Sequence, residues 1–399
     1  MLNNWIVIRR KYFMQLKTNI VGLFLISVFI GCGLFESNDN DSVSDTVYVP
    51  LRGLDQVAIV NAGSDEIDFV DINYSDIGNE PHFVVIDEIN RYWFVTTINS
   101  GYVGCYNLDT DELIDTVLVG DAPALMVLNE EDKKLYVSRM MPMETMMMGA
   151  VNTIVQEIDY SKPDIMEKKN ELLVGSPAPH GLAINFDGTK LYVASNEADW
   201  LYKIILATNE IQGTMIDESL GNIDSTEVVQ RLKPIQLVSV SDSLLIMTCS
   251  AGKKLDCDYN TSECVDVYIP GQVQLWNSNT MSIIDIVQFS WKSRPWHIIN
   301  SHVNDEVFVT LGGDVIYPGS AGVACLTYAS DTLAVKWETY SEDFEGLHGI
   351  DVSEDGESLF VSGREDGNLH IFNADSGGKI KSIPLGHNSK PQGVTAVYR

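Results

Sequence analysis

The chain has 399 residues, 45% of them hydrophobic, enough for a large core, and its 26 basic residues face 56 acidic ones for a formal net charge of −30. A body so acidic repels polyanions, which argues against nucleic acid as a partner, and solubility alone accounts for the excess acid. Length would allow two or three domains, but closed all-β architectures run long as one, so repeats must set the count.

The first element is an address. Arg9, Arg10, Lys11 and Lys17 precede an apolar run from Ile20 to Ile30, then Gly31-Cys32. A basic stretch, a short apolar core and a small residue before the cut make a secretory signal, too short to span a bilayer comfortably. Phe29-Ile30-Gly31-Cys32 resembles a lipoprotein signal, with Phe29 where Leu is usual. That resemblance implies removal of residues 1–31 and acylation of Cys32. An ordinary signal with an unmodified cysteine is the alternative. Met14 could serve as the start, since a complete signal follows it, and that start would delete the faint twin-arginine pattern of Arg9-Arg10. Residues 32–45 then read as an acidic flexible tether that holds the body beside a membrane. Gly33 after the cysteine implies, by resemblance to lipoproteins, the outer membrane, on its periplasmic side or at the cell surface.

From residue 46 onward the chain reads as short strands separated by turn residues, with no sustained helical period. Thr46–Val49, Val57–Val60 and Ile67–Val70 are three strands lacking an inner partner. Seven strand starts follow, at Pro81-His82, Pro123-Ala124, Pro179-His180, Pro234-Ile235, Pro295-Trp296, Leu347-His348 and Pro391-Gln392, spaced 42 to 61 residues apart. The shortest spacings match a four-stranded propeller blade and the longer ones hold insertions. In the clearest repeats a strand from His180 or His348 reaches Asp187-Gly188 or Asp355-Gly356 and returns, as a hairpin requires. In the blade begun at His180, Leu201–Ile205 and Ile211–Met215 supply the third and fourth strands. The last start leaves one strand, Gly393–Tyr398, before the chain stops. Three strands at the front and one at the back complete a blade. The reading is an all-β, seven-bladed β-propeller over 46–399, closed by N-terminal strands b-c-d plus C-terminal strand a, which removes open edges.

Leu191-Tyr192-Val193-Ala194-Ser195-Asn196 and Lys134-Leu135-Tyr136-Val137-Ser138 resemble the motif of the YVTN family of β-propeller repeat proteins. The resemblance runs over roughly 46–399 and implies an exported seven-bladed propeller, with no catalytic residues to carry over. Fold alone leaves function open.

If Asp-Gly turns join strands a and b, the b–c and d–a connections share the opposite face. The long insertions fall there: Arg139–Val151, Asp217–Lys233, Ser250–Gly271 and Gly312–Gly322. That makes it the expected binding face. The third insertion carries Cys257 and Cys264 in a polar acidic loop, where an exported chain is expected to form a disulfide; a metal site is the alternative. Cys105, Cys249 and Cys325 lie in strand patterns, as small buried hydrophobes do.

His82, His180 and His348 occupy one repeat position, with His297 offset by one. These imidazoles could ring the channel mouth and hold copper or another transition metal. Nitrous oxide reductases, which resemble this shape alone, hold copper in a histidine ring. The competing reading has each histidine hydrogen-bonding a neighbouring blade. The first insertion is rich in methionine, including Met143 and Met146, which suits packing or partner contact before copper. Arg294, Trp296 and Arg364 could line the same mouth and take an anionic or sugar-like ligand. No haem, nucleophile-elbow or Walker motif is present. The expectation is a monomeric binding module for a protein, glycan or small ligand with no required cofactor. A metal-binding, copper-handling propeller and a lactonase-like hydrolase are the alternatives.

Overall fold

The computed structural model describes residues 45–120, 122–140, 153–162, 164–217, 231–258, 261 and 263–398, with backbone alone over 254–258. Seven four-stranded antiparallel sheets make up the molecule, and no helix occurs among the described residues. Blades 1 to 6 run over 81–118, 123–173, 179–215, 234–289, 295–340 and 347–384. Each runs from inner strand a to outer strand d, and inner strands of successive blades touch around the ring.

The seventh blade is built from both ends of the chain. Thr395–Tyr398 is its inner strand, and it pairs antiparallel with Asp45–Leu51 in the register Thr46 to Val397 and Val47 to Ala396. Gln56–Asn61 and Ile67–Asp71 complete that sheet. The inner strand is shorter than its sequence pattern implied, beginning at Thr395, although Pro391 still bridges Leu51.

Alternation along each middle strand places apolar groups on both faces, because each blade is sandwiched between two others. Leu191, Tyr192, Val193 and Ala194 are all buried. The core is consequently a ring of inter-blade clusters. One joins Tyr136, Val155 and Leu172 of blade 2 to Leu182, Val193 and Tyr202 of blade 3. Another carries the closure, packing Val47, Val49 and Leu51 on Phe360, Leu369 and Ile371. Each such side chain contributes roughly 1.5–3 kcal/mol on burial.

Two features recur at the starts of the inner strands, the first in all seven blades and the second in four. A left-handed residue leads into the inner segment of all seven blades: Glu80, Ala122, Ala178, Lys233, Arg294, Gly346 and Lys390 have φ between 47° and 63°, Lys390 standing before the bridging Pro391 and not directly before the strand at Thr395. Its carbonyl accepts the N–H of the residue that follows strand b, as Arg364 does to Gly346 and Arg52 to Lys390. Left-handed backbone costs a non-glycine residue about 1–2 kcal/mol, so these hydrogen bonds and the following proline hold a conformation the chain would not choose alone. Second, a strand-b hydroxyl stitches blades together. Thr310 accepts the His297 N–H at 2.9 Å and donates to the His348 carbonyl of the next blade at 2.8 Å. Thr96, Thr248 and Ser362 donate likewise to Ala124, Trp296 and Gln392. Glycine after the histidine is steric: a Cβ at Gly349 would lie 2.4 Å from the Gln392 carbonyl oxygen, and one at Gly181 2.9 Å from that of Ile235.

The insertion over 250–271 departs from the expected irregular loop. Gly252–Asp258 and Glu263–Ile269 form a separate antiparallel ribbon, with Cys257 directly opposite Cys264. Cys105, Cys249 and Cys325 are buried free thiols in strands, as their patterns implied. Cys32, Met143 and Met146, the signal and most of the tether, and the centre of the Asp217–Lys233 connection lie outside the described residues.

Candidate functional site: a cation-lined mouth

The left-handed residues and those after strand b form two concentric rings at one end of the channel. Around blades 1 to 3 these positions hold Glu80, Ala122 and Ala178, with Ile98, Met140 and Asn196. Around blades 4 to 7 they hold Lys233, Arg294, Gly346 and Lys390, with Ser250, Gly312, Arg364 and Arg52, so that five of these eight positions are cationic. Half the mouth is therefore cationic in a strongly acidic protein.

A cavity of about 540 Å³ opens over this arc. Its wall includes Lys233, Lys253, Arg294, Trp296, His348 and Arg364, and the carboxylate in it is Glu365. A neighbouring cavity of about 400 Å³ shares Arg364 and Glu365 and adds Arg52, Glu80 and Lys390. The cations are held from the side. Arg294 Nη2 donates to Asp314 at 2.8 Å, Arg364 Nε to Glu365 at 2.8 Å, and Lys253 pairs with Asp266 at 2.7 Å. The Asp199 carboxylate accepts the backbone N–H groups of Leu232 and Lys233 at 2.6 and 2.8 Å, fixing the turn that carries Lys233. Burial, and then the Arg294 charge, lower the Lys233 pKa.

Two donors in this wall stand out. The Arg294 Nε–H and the Trp296 indole N–H are buried and have no hydrogen-bond partner among the described residues. A buried unpaired donor costs roughly 1–3 kcal/mol, so an acceptor, from a water or a ligand, would be favoured at these two positions.

Below lie the histidines. His348 reaches the cavity floor, its ring 4.6 Å from that of His297 and 5.4 Å from that of His82, and it lies 5.6 Å from Trp296, all between ring centroids. Burial holds all four imidazoles neutral. It lowers His82 to about 3, helped by the charges of His180, Arg52 and Arg364, and His180 to about 4. His297 and His348 fall well below the ordinary value for the same cause, reinforced by neighbouring imidazoles. His180 spends its Nδ1 on the Ile235 carbonyl of the next blade at 2.7 Å. The Nε2 of His297 and the Nδ1 of His348 have no partner among the described residues. No group of three or more His, Cys, Asp or Glu is arranged to hold a metal ion among the described residues.

The wall of one cavity brings Arg294, Trp296, Arg364 and His348 together. Lys233, Lys253, Arg52 and Lys390 were not singled out from sequence. Three cations directly precede a strand-starting proline, in Lys233-Pro234, Arg294-Pro295 and Lys390-Pro391, and that recurrence is the signal that could have found two of them.

The other end of the channel has the opposite character. A cavity of about 250 Å³ there is lined by Asp45, Glu88, His302, Asp351 and Glu354. Burial pushes the Asp351 carboxyl up to about 6.

No known family model matches the chain, and no curated protein matches it. Solved structures do. A periplasmic gluconolactonase of Pseudomonas aeruginosa shares 14% identity over 88% of this chain and 99% of its own, with a TM-score of 0.63. A Bacteroides fragilis protein described as a candidate 6-phosphogluconolactonase shares 13% over 90% and 99%, at 0.64. A protein of unknown function from Desulfotomaculum acetoxidans shares 11% over 89% and 99%, at 0.65. The likeness is one of fold.

Proposed function

We propose that this chain is an exported, lipid-anchored propeller of the YVTN type that binds a small acidic ligand, a sugar acid or its phosphate, in the cation-lined mouth. The observation that carries the reading is the pair of unpartnered buried donors, Arg294 Nε–H and Trp296 Nε1–H, in a wall that also holds Lys233 and Arg364. Charge-assisted hydrogen bonds to a carboxylate or phosphate are about twice as strong as neutral ones, and pre-positioned arginines add geometric selection. The anchor, through Cys32, rests on the N-terminal signal pattern alone. The Cys257–Cys264 disulfide is proposed from their facing register and the exported setting.

Calorimetric titration with gluconate, 6-phosphogluconate and glucose tests the binding reading. Both acids should bind and the neutral sugar should not. Equal binding of acid and neutral sugar, or no heat at millimolar acid, would overturn it.

A second reading is favoured by the names of two structural neighbours, a gluconolactonase and a candidate 6-phosphogluconolactonase. Hydrolysis of a sugar lactone adds water to the acyl carbon, breaks the ring C–O bond and leaves a sugar acid, the anion this cavity would hold. Glu365 is the carboxylate in the wall that could take the proton of the attacking water. Turnover of glucono-lactone above the buffer rate, abolished by Glu365→Gln, would establish it. A rate equal to buffer leaves the binding function alone. The unpartnered nitrogens of His297 and His348 are what favour a bound transition metal. Elemental analysis of the folded body after copper loading decides that point, stoichiometric metal supporting it and metal-free protein refuting it.

A further inference from the structure

The inner segments of four successive blades, 5, 6, 7 and 1, each carry a buried polar atom with no hydrogen-bond partner among the described residues, and each at the same place in the repeat. These are the Trp296 Nε1–H, the His348 Nδ1, the Gln392 Oε1 and both ring nitrogens of His82. His82, His348 and Gln392 are 6%, 4% and 1% exposed. The equivalent positions of blades 2, 3 and 4 hold Ala124, His180 and Ile235. Two of those are apolar, and His180 already bonds the Ile235 carbonyl through Nδ1. The unpaired atoms therefore gather on the side of the channel where the cations do.

They also adjoin one another. Trp296 and His348 line the larger mouth cavity and Gln392 the smaller, and the two cavities share Arg364 and Glu365. The Gln392 carbonyl accepts the N–H of Gly349, the residue after His348, at 3.1 Å. The atoms differ in what they demand. An indole N–H only donates and an amide oxygen only accepts. Gln392 spends its Nε2 on the Lys390 carbonyl at 3.1 Å, which leaves the oxygen as the open end of the amide. Its side chain stands near enough to His82 to favour the charged imidazole, yet no hydrogen bond joins the two.

A bare carboxylate, sulfate or fully ionised phosphate meets the donors of Arg294 and Trp296 but has nothing to give the Gln392 oxygen. A cationic donor would stand among Arg52, Arg364 and Lys390, which line the same cavity and repel it. A hydroxyl is a neutral donor, and it both gives to and takes from a neutral imidazole. We infer that the mouth reads the hydroxyls of its acidic ligand. The carboxylate lies at Arg294 and Trp296, and the hydroxylated chain runs across His348 to Gln392. The site thereby selects polyhydroxy acids from among carboxylic acids, because a site that hydrogen-bonds a ligand hydroxyl rejects the analogue lacking it. The inference rests on the anion-binding reading and adds to it the residues that choose between anions.

The test compares gluconate with hexanoate by calorimetry, two carboxylates of equal chain length and charge, one with hydroxyls and one without. In the unaltered protein gluconate should bind at least about tenfold more tightly, the scale of one or two hydrogen bonds. Gln392→Met, similar in length but without the amide oxygen, should collapse that ratio, with a thermal melt confirming that the variant is folded. Equal affinity for the two acids in the unaltered protein would overturn the inference and leave the anion-binding reading standing; this comparison needs no variant. A ratio that survives in folded Gln392→Met would likewise overturn it. If neither acid binds, both readings fall.

Discussion

Arg294 shows how a single residue carries two tasks. Its backbone is left-handed and its carbonyl closes the turn onto Gly312, while its guanidinium pairs with Asp314 on one side and its Nε–H has no partner among the described residues on the other. Trp296 is the cleaner place to separate binding from folding, because its ring packs while its N–H is unpartnered among the described residues. Replacing Trp296 with Phe should leave the melting temperature of the free protein unchanged or raised, since an unpaired buried donor is removed. The same change should weaken gluconate binding about tenfold, the loss of one hydrogen bond to a charged group. Calorimetry and thermal melts together check the pair of outcomes. The buried histidines set a pH dependence. Each has a folded pKa below its unfolded value, so the unfolded chain takes up protons first and their stability contribution is lost as pH falls below about 6.5. With His82 lowered to about 3, unaltered protein should lose melting temperature relative to a His82→Gln variant between pH 6.5 and pH 3. A constant difference across that window would refute the neutral buried imidazole. Trp296 and His348 occupy strand starts that the repeat spacing marks, while Arg294 and Arg364 were named from sequence only as candidates for the same mouth. Lys253 was not, because its place depends on a ribbon that no repeat announces.

Among elements, strand b does more than fill the blade. Its recurrent hydroxyl satisfies the bulged start of its own inner strand and reaches the next blade, as Thr310 does between His297 and His348. Thr310→Val leaves a buried N–H and a buried carbonyl without that partner and should cost roughly 1–3 kcal/mol, while Thr310→Ser should restore most of it, both read from denaturant midpoints. Spacing shows the serine or threonine recurring, at Thr96, Ser138, Ser195, Thr248, Thr310 and Ser362, but for Thr96, Thr248, Thr310 and Ser362 the acceptor lies a blade away and is invisible to local pattern, while Ser138 and Ser195 donate to Leu125 and Pro177 nearby. The ribbon over Gly252–Asp258 and Glu263–Ile269 was read only as a loop because its first strand is largely polar, although Val265, Val267 and Ile269 alternate along the second. Its facing cysteines give a direct expectation. Peptide mapping of exported protein should find Cys257 linked to Cys264, with Cys105, Cys249 and Cys325 unreactive to alkylation until the chain unfolds. Two free thiols in the ribbon under non-reducing conditions would contradict the pairing.

At the scale of the whole molecule, the ring is latched by four residues near the C-terminus, Thr395–Tyr398, lying against Asp45–Leu51. This closure was the most legible part of the fold, because an incomplete set of strands at one end and a lone strand at the other have a single economical solution. Truncation before Pro391 should expose the edges of Asp45–Leu51 and of blade 1, lower the melting temperature and promote association, all visible by size-exclusion chromatography. The same closure assembles the two ends of the channel with opposite charge, cations from blades 4 to 7 at one and carboxylates Asp45, Glu88, Asp351 and Glu354 at the other. Net charge alone hid that asymmetry, since −30 is a sum over the surface and the mouth is a local exception to it. The most direct test is a crystal structure of the soluble body grown with saturating gluconate. The account requires the carboxylate to lie within about 3 Å of Arg294 Nε and Trp296 Nε1, above His348. Gluconate bound elsewhere, with those two donors still unpaired, would contradict it.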